Sequence, residues 1–206
     1  MAVITIARHF GAGGRTLGEM IASKLGFDFY DNEVIQRVST QARVSVDTVD
    51  EMEKDTGGLF KKFLSDIVPK GLKDLMISGK QDGIDEEIYV DILKRIINEI
   101  ADDGDAVIIG RGSQYILKDR DDVFQLLITA DEQDRIRFLE DKYQVTHDQA
   151  VRAVTQDDKR RANLYQKFGE TDYDQPDRYH LVLNTTKLDF ETARDLAVEL
   201  IQPDKE

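Results

Sequence analysis

A glycine cluster set between two apolar patterns of different period constrains this chain more than anything else in it. Val3-Ile4-Thr5-Ile6 is a β-branched run, Gly11-Ala12-Gly13-Gly14 follows, and Leu17, Met20, Ile21 and Leu25 then recur at helical spacing up to Gly26. A strand that enters a helix through glycines leaves a loop whose backbone N–H groups can curl inward. No Cβ obstructs the curl, and the helix that follows adds its dipole. Such a loop is suited to holding an anion, phosphate above all.

Against the Walker pattern G-x-x-x-x-G-K-[ST] the loop can be read in two registers. With Arg15-Thr16 in the Lys-Ser/Thr places, His9 stands at the first glycine; with the glycines maximised, Arg8 stands there and Gly14 replaces the lysine. Neither register contains a lysine. Arg15 or Arg8 then has to carry its charge, with Thr16 as a hydroxyl ligand for Mg²⁺. Two other readings compete. One is a tight strand-to-helix connection with no ligand. The other is a dinucleotide site, since Gly11-x-Gly13 is followed by Asp31 at the end of the second strand, although Thr16 occupies the place of the third glycine.

The rest of the chain continues the alternation. Phe27-Asp28-Phe29-Tyr30 reads as a second strand, with Asp31 capping a helix built on Val34, Ile35 and Val38, and Ser45 capping a third helix. From Asp55 to Gly83 the glycines and Pro69 interrupt short amphipathic pieces, which suggests a helical insertion with jointed ends rather than a domain. Ile88, Ile92, Ile96, Ile97 and Ile100 then lie on one stripe of a long helix ended by Gly104. That stripe suits the core, with a homodimer face over 85–103 as the alternative. Ala106-Val107-Ile108-Ile109 is apolar throughout, as a central parallel strand should be. A strand over 123–128, a helix from Asp131, a charged helix opened by the capping-box pair Thr146 and Gln149, a strand over 180–184 and a helix ending near Ile201 complete the chain. The expectation is one α/β domain over 1–206: a doubly wound, five-stranded parallel sheet whose core is 1–54 and 84–206.

Composition narrows the function. The 206 residues carry a net charge of −13, which disfavours a nucleic-acid polymer or an anionic membrane as partner. No apolar stretch approaches the ~20 residues that span a bilayer. The opening residues lack the pattern of a signal peptide, so the expected location is cytoplasmic. The absence of cysteine removes disulfides, thiolate metal sites and cysteine nucleophiles, and the three histidines (His9, His147, His180) have no zinc-ligand spacing.

Local arginines stand out against this acidic average. Arg111 follows the third strand within Gly110-Arg111-Gly112, and Arg37 lies on the helix after Asp31. Arg135 and Arg137 are on the helix after the fourth strand, and Lys159-Arg160-Arg161 are in the charged helix. Ligands of parallel sheets bind beyond the carboxyl ends of the strands, where these arginines can converge. The plainer reading makes Arg161 and Asp157 an i,i+4 pair on a solvated face.

With these residues in view, the sequence resembles the cytidylate kinase-like family of P-loop nucleoside monophosphate kinases, nearly end to end and least over 55–83. Ile6-Ala7-Arg8-His9-Phe10-Gly11-Ala12-Gly13-Gly14-Arg15 resembles the family's opening, which departs from the Walker lysine in the same way. Asp31-Asn32-Glu33-Val34-Ile35-Gln36-Arg37 resembles Asp-Ser-Gly-Ala-Met-Tyr-Arg of true cytidylate kinases, and Gly110-Arg111 resembles their Gly-Arg-Asp. Thr129-Ala130 with Arg135 resembles their helix after the fourth strand. Asn184-Thr185-Thr186-Lys187-Leu188 resembles Asp-Thr-Thr-Gly-Leu, with Asn184 in place of Asp.

The resemblance implies phosphoryl transfer from ATP, with Mg²⁺, to a nucleoside monophosphate or a similar small phosphorylated acceptor. Gly11, Ala12, Gly13, Gly14, Arg15 and Thr16 would wrap the donor, with Arg8, His9 and Arg135 beside them. Asp31, Arg37 and Arg111 would hold the acceptor. Arg15, Arg160 and Arg161 would neutralise the transferring group, the last two from a lid over about 155–176, and the insertion over about 55–83 would bind the acceptor. A nucleotide-binding sensor that kept the fold and lost the lysine is the alternative; a nicotinamide-dependent enzyme is a third.

Overall fold

The computed structural model describes residues 2–43, 46, 86–169 and 174–202. The expected insertion over 55–83 and the cap at Ser45 lie outside them, as do residues 170–173 of the expected lid. The central strand, β1 (Val3–Arg8), pairs in parallel with β3 (Ala106–Ile109) on one side and β4 (Val123–Thr129) on the other. β2 (Asp28–Tyr30) and β5 (Leu181–Asn184) complete the sheet, in the order β2-β3-β1-β4-β5. All pairings are parallel, so all five carboxyl ends share one edge.

Side chains alternate across the strands as the pleat requires. Ile4, Ile6, Val107 and Ile109 face α1 (Gly14–Leu25) and α7 (Phe190–Ile201). Val3, Ala106 and Ile108 face the opposite core, built with α2 (Asn32–Ala42) and α3 (Glu86–Asp103). The sheet is thus covered on both faces, which is why β3 has no polar residue. The short helix α4 (Ser113–Ile116) follows β3, and α5 (Glu132–Tyr143) and α6 (His147–Gln166) follow β4. Its four residues make α4 too short to leave a periodic signal in the sequence.

Several local expectations hold. Gly26 ends α1 in the left-handed conformation, and the reciprocal capping box of Thr146 and Gln149 opens α6. Helix α3 packs as core through Tyr89, Leu93, Ile96, Ile97 and Ile100. Ile88, which the sequence placed on the same stripe, is 54% exposed, because the buried face passes through Tyr89 instead. β2 starts at Asp28 rather than Phe27, and β5 at Leu181 rather than His180. His180 instead accepts at Nδ1 from the Gln125 amide at 3.0 Å, and His147 meets Glu140 at 2.9 Å.

Helix α1 approaches the sheet closely. A Cβ on Gly18 would lie 2.6 Å from Ile109 Cδ1 and 3.1 Å from Phe29 Cε2. Gly18→Val therefore overpacks this seam and is expected to destabilise the protein by about 1–3 kcal/mol, read as a lower urea midpoint. An unchanged midpoint would show that α1 can lift off the sheet at no cost.

Candidate active site

The glycine loop leaves the end of β1 and turns back into α1. The His9 N–H donates to Ile128 O, the Ala12 N–H closes a turn onto His9 O, and Gly11 and Gly13 take φ of 83° and 72°. Such values are open to glycine and strained for most other residues. Space is short as well: a Cβ on Gly11 would sit 2.7 Å from Arg135 O, and one on Gly13 would sit 2.3 Å from the Phe190 ring. The first amide of α1 with a backbone partner is that of Leu17, to Gly13 O at 2.9 Å. Among the described residues, the amides of Gly13, Gly14, Arg15 and Thr16 have no backbone acceptor, so four donors and the helix dipole converge on the loop.

The segment after β5 closes over this loop. Thr185 Oγ1 lies 3.0 Å from Ala12 O and 3.2 Å from Thr129 O, and Thr186 Oγ1 accepts from the Asp131 amide at 2.9 Å. Asn184 Oδ1 accepts from the Thr186 amide at 2.9 Å, so the Asn that replaces the family's Asp serves the turn. Arg135 clamps the other side. Buried to 7% exposure, it grips Asp158 of α6 through both terminal nitrogens and reaches Phe10 O at 3.4 Å. Its neighbour Arg137 is exposed, pairs with Asp134, and does not join this group.

The arginines gather at the carboxyl edge. Gly110, Arg111 and Gly112 all have positive φ (65°, 59° and 69°), a sharp reversal that holds Arg111 buried at the end of β3. A non-glycine residue held there stores strain of order 1 kcal/mol, of the kind that collects at functional sites. Arg8 runs from the end of β1 toward Gly110, within the field of Asp31, Asp157, Arg111 and Arg160. Burial holds its guanidinium below the ordinary arginine value, against the pull of Asp31 and Asp157.

Carboxylates balance this charge. Asp157 is 3% exposed and accepts from Arg160 Nη2 at 2.7 Å. Burial pushes its carboxyl up, but Arg160, Arg8 and Arg161 outweigh burial and hold it below the ordinary 3.8. Arg161 grips Asp174 at 2.6 Å on a buried face rather than a solvated one, and acts on Asp157, the expected i,i+4 partner, through its field. Asp174 also meets His9 Nε2 at 3.3 Å, tying α6 to the glycine loop. Asp31 stands at the N-cap of α2, yet its side chain makes no capping bond. Its carboxylate goes instead to Arg15 Nη1 at 3.1 Å, a charge-assisted bond that outcompetes an amide. Arg37 is exposed and lies over Tyr30, 5.4 Å from the ring centre.

The residues brought to one rim are therefore Arg8, His9, Arg15, Asp31, Arg111, Arg135, Arg160 and Arg161, with Thr16 in the first turn of α1. Sequence reading paired Asp157 only with Arg161, on a solvated face, and missed Asp158 and Asp174 as counter-ions. Asp157-Asp158 before Arg160-Arg161 was a usable signal; Asp174, distant in sequence, gave none. A cluster in which six arginines outnumber four aspartates, next to four amides with no backbone acceptor, fits a highly charged anion such as a phosphate chain.

The family model described as the cytidylate kinase-like family matches residues 3–187. The chain belongs to this family. No curated protein matches it in sequence. A crystal structure of an uncharacterized protein from Eubacterium ventriosum ATCC 27560 superimposes with a TM-score of 0.67 at 18% identity, covering 98% of this chain and 99% of that one. TT1252 from Thermus thermophilus gives 0.55 at 17% identity, covering 99% and 98%. Shikimate kinase from Bacteroides thetaiotaomicron gives 0.53 at 15%, covering 98% of each chain. At such identities the likeness is one of fold, that of the P-loop kinases, and no described helix is long and apolar enough to cross a membrane.

The balance of charge in this family member predicts its acid response. Asp157 and Asp174 have folded values below 3.8, so their stabilisation is complete above that pH and is lost as pH falls further through the folded values. Asp157→Asn should destabilise the protein at pH 6 by about 3 kcal/mol, as for a broken buried pair, read as a lower urea midpoint, and should flatten the further loss as pH falls below 3.8. A variant as acid-sensitive as the parent would show that Asp157 is not the titrating group.

Proposed function

We propose that the protein is a cytoplasmic, single-domain kinase that uses ATP and Mg²⁺ to phosphorylate a nucleoside monophosphate or a similar small phosphorylated acceptor. One observation carries the reading: the free amides of the glycine loop and the cations at the end of β3 face the same edge, so one can hold a donor and the other an acceptor. In this reading Gly11 to Thr16 wrap the donor phosphates, with Arg8, His9 and Arg135 around them. Thr16 Oγ1 would help to hold Mg²⁺, which when bound would supply positive charge against the phosphates.

Arg111 and Arg37 grip the acceptor phosphate, and Asp31 fixes Arg15 between the two halves. Arg15, Arg160 and Arg161 then face the charge that develops during transfer, which asks the protein for positioning and positive potential rather than a nucleophile. α6 and the segment after it, over about 155–176, act as a lid that excludes water, and the insertion over about 55–83 completes the acceptor side. The absent lysine supports a second reading, a nucleotide-binding sensor without turnover.

ADP release from ATP and Mg²⁺ across a panel of nucleoside monophosphates separates the two. A kinase shows acceptor-dependent release, and Arg111→Ala lowers kcat/KM by on the order of 10²–10³. Arg37→Ala should act mainly through KM for the acceptor, and Arg15→Ala mainly through kcat. Nucleotide binding with no release for any acceptor would leave the sensor.

A further inference from the structure

Gly14 has a helical backbone and is not among the residues with positive φ, so its conformation does not require glycine. Space does. A Cβ built there would lie 2.7 Å from Cβ and 2.8 Å from Cγ of Arg8. One built on Gly110 would lie 1.8 Å from Arg8 Nη1. Arg8 therefore runs through a slot with one glycine beside its stem and another beneath its head. Position 14 is also where the Walker lysine stands when the glycines of the loop are maximised.

We propose that Arg8 replaces that lysine. Its stem takes the space a side chain at position 14 would need, and its guanidinium is delivered to the donor phosphates from β1 instead of α1. The inference rests on the donor phosphates lying at the glycine loop, and it decides between the two registers. Arg15, the other candidate, is half exposed and committed to Glu19 at 3.0 Å and Asp31 at 3.1 Å. Among the described residues Arg8 has neither an ion pair nor a side-chain hydrogen bond; Asp31 and Asp157 act on it only through their field. A partly buried guanidinium held in place without a hydrogen-bonding partner is preorganised for an incoming oxyanion. Arginine can serve here because its fork spans two phosphate oxygens, whereas lysine acts as a point charge.

The test moves the charge between the two positions. Binding of a fluorescent ATP analogue with Mg²⁺ is measured, together with its displacement by inorganic tripolyphosphate, and every variant is melted thermally. Arg8→Met keeps a stem and removes the charge; it should weaken both ligands by at least about tenfold with little change in melting. Arg8→Ala combined with Gly14→Lys should recover most of the affinity, and Arg8→Ala combined with Gly14→Met should not. Gly14→Lys alone forces two stems into one slot and should lower the melting temperature. The proposal is overturned by wild-type affinity in Arg8→Met, by equal recovery in the two double variants, or by a larger loss in Arg15→Met. Failure of the wild-type protein to bind either ligand would instead overturn the donor-site reading beneath it.

Discussion

Arg8 lies in the electrostatic field of both Arg111 and Arg160 at the carboxyl edge of the sheet, and the surrounding structure answers that repulsion. The buried carboxylate of Asp157 sits among them, Asp31 holds Arg15, and Asp174 joins Arg161 to His9. Removing one carboxylate of such a set leaves buried cations unbalanced, which costs more than the intact set contributes. The arrangement is therefore held as a unit. It also leaves positive potential beside the glycine loop in a protein that is strongly acidic overall, so a small anionic ligand is attracted to one place and a polyanion is repelled from the rest.

Close backbone approach makes this concentration of charge possible. Gly14 and Gly18 lie one helical turn apart on the face of α1 that meets the sheet, one against the stem of Arg8 and the other against Ile109 and Phe29. The glycines of Gly110-Arg111-Gly112 turn the chain at the end of β3 without placing a Cβ under the guanidinium of Arg8 or against Phe168. The same residues thus serve the packing and the site. Helix α6 is tied to its surroundings by two ion pairs, Asp158 with Arg135 and Arg161 with Asp174, and Asp174 in turn meets His9 of the glycine loop.

The fold was legible because burial imposes period. Fully apolar β3, the β-branched run of β1 and the stripes of α1, α3 and α7 all follow from which faces meet the core. Errors fell where period is weak. Ile88 is out of the core because a tyrosine fits the buried face equally well, and α4 has too few residues to show a stripe. At the site, residue types and spacing named the arginines and the glycine loop, and missed their partners. Asp31 was read as a helix cap, and the plainer reading of Arg161 made it half of a surface pair, because local spacing supports both. Longer-range charges won: Arg15 claims the first, and Asp174 the second.

What the sequence determined by itself was the alternation of strands and helices, the glycine turn that opens it, and the presence of arginines at strand ends. These depend on near neighbours, whose spacing is written in the chain. Which cation fills the place of the missing lysine, and which carboxylate answers each arginine, was decided only by the tertiary structure. Arg8 and Gly110 stand at the ends of adjacent parallel strands, and 102 positions separate them in sequence. No local pattern can show that the side chain of one passes over the backbone of the other, because that contact exists only once the sheet has assembled and α1 has packed against it.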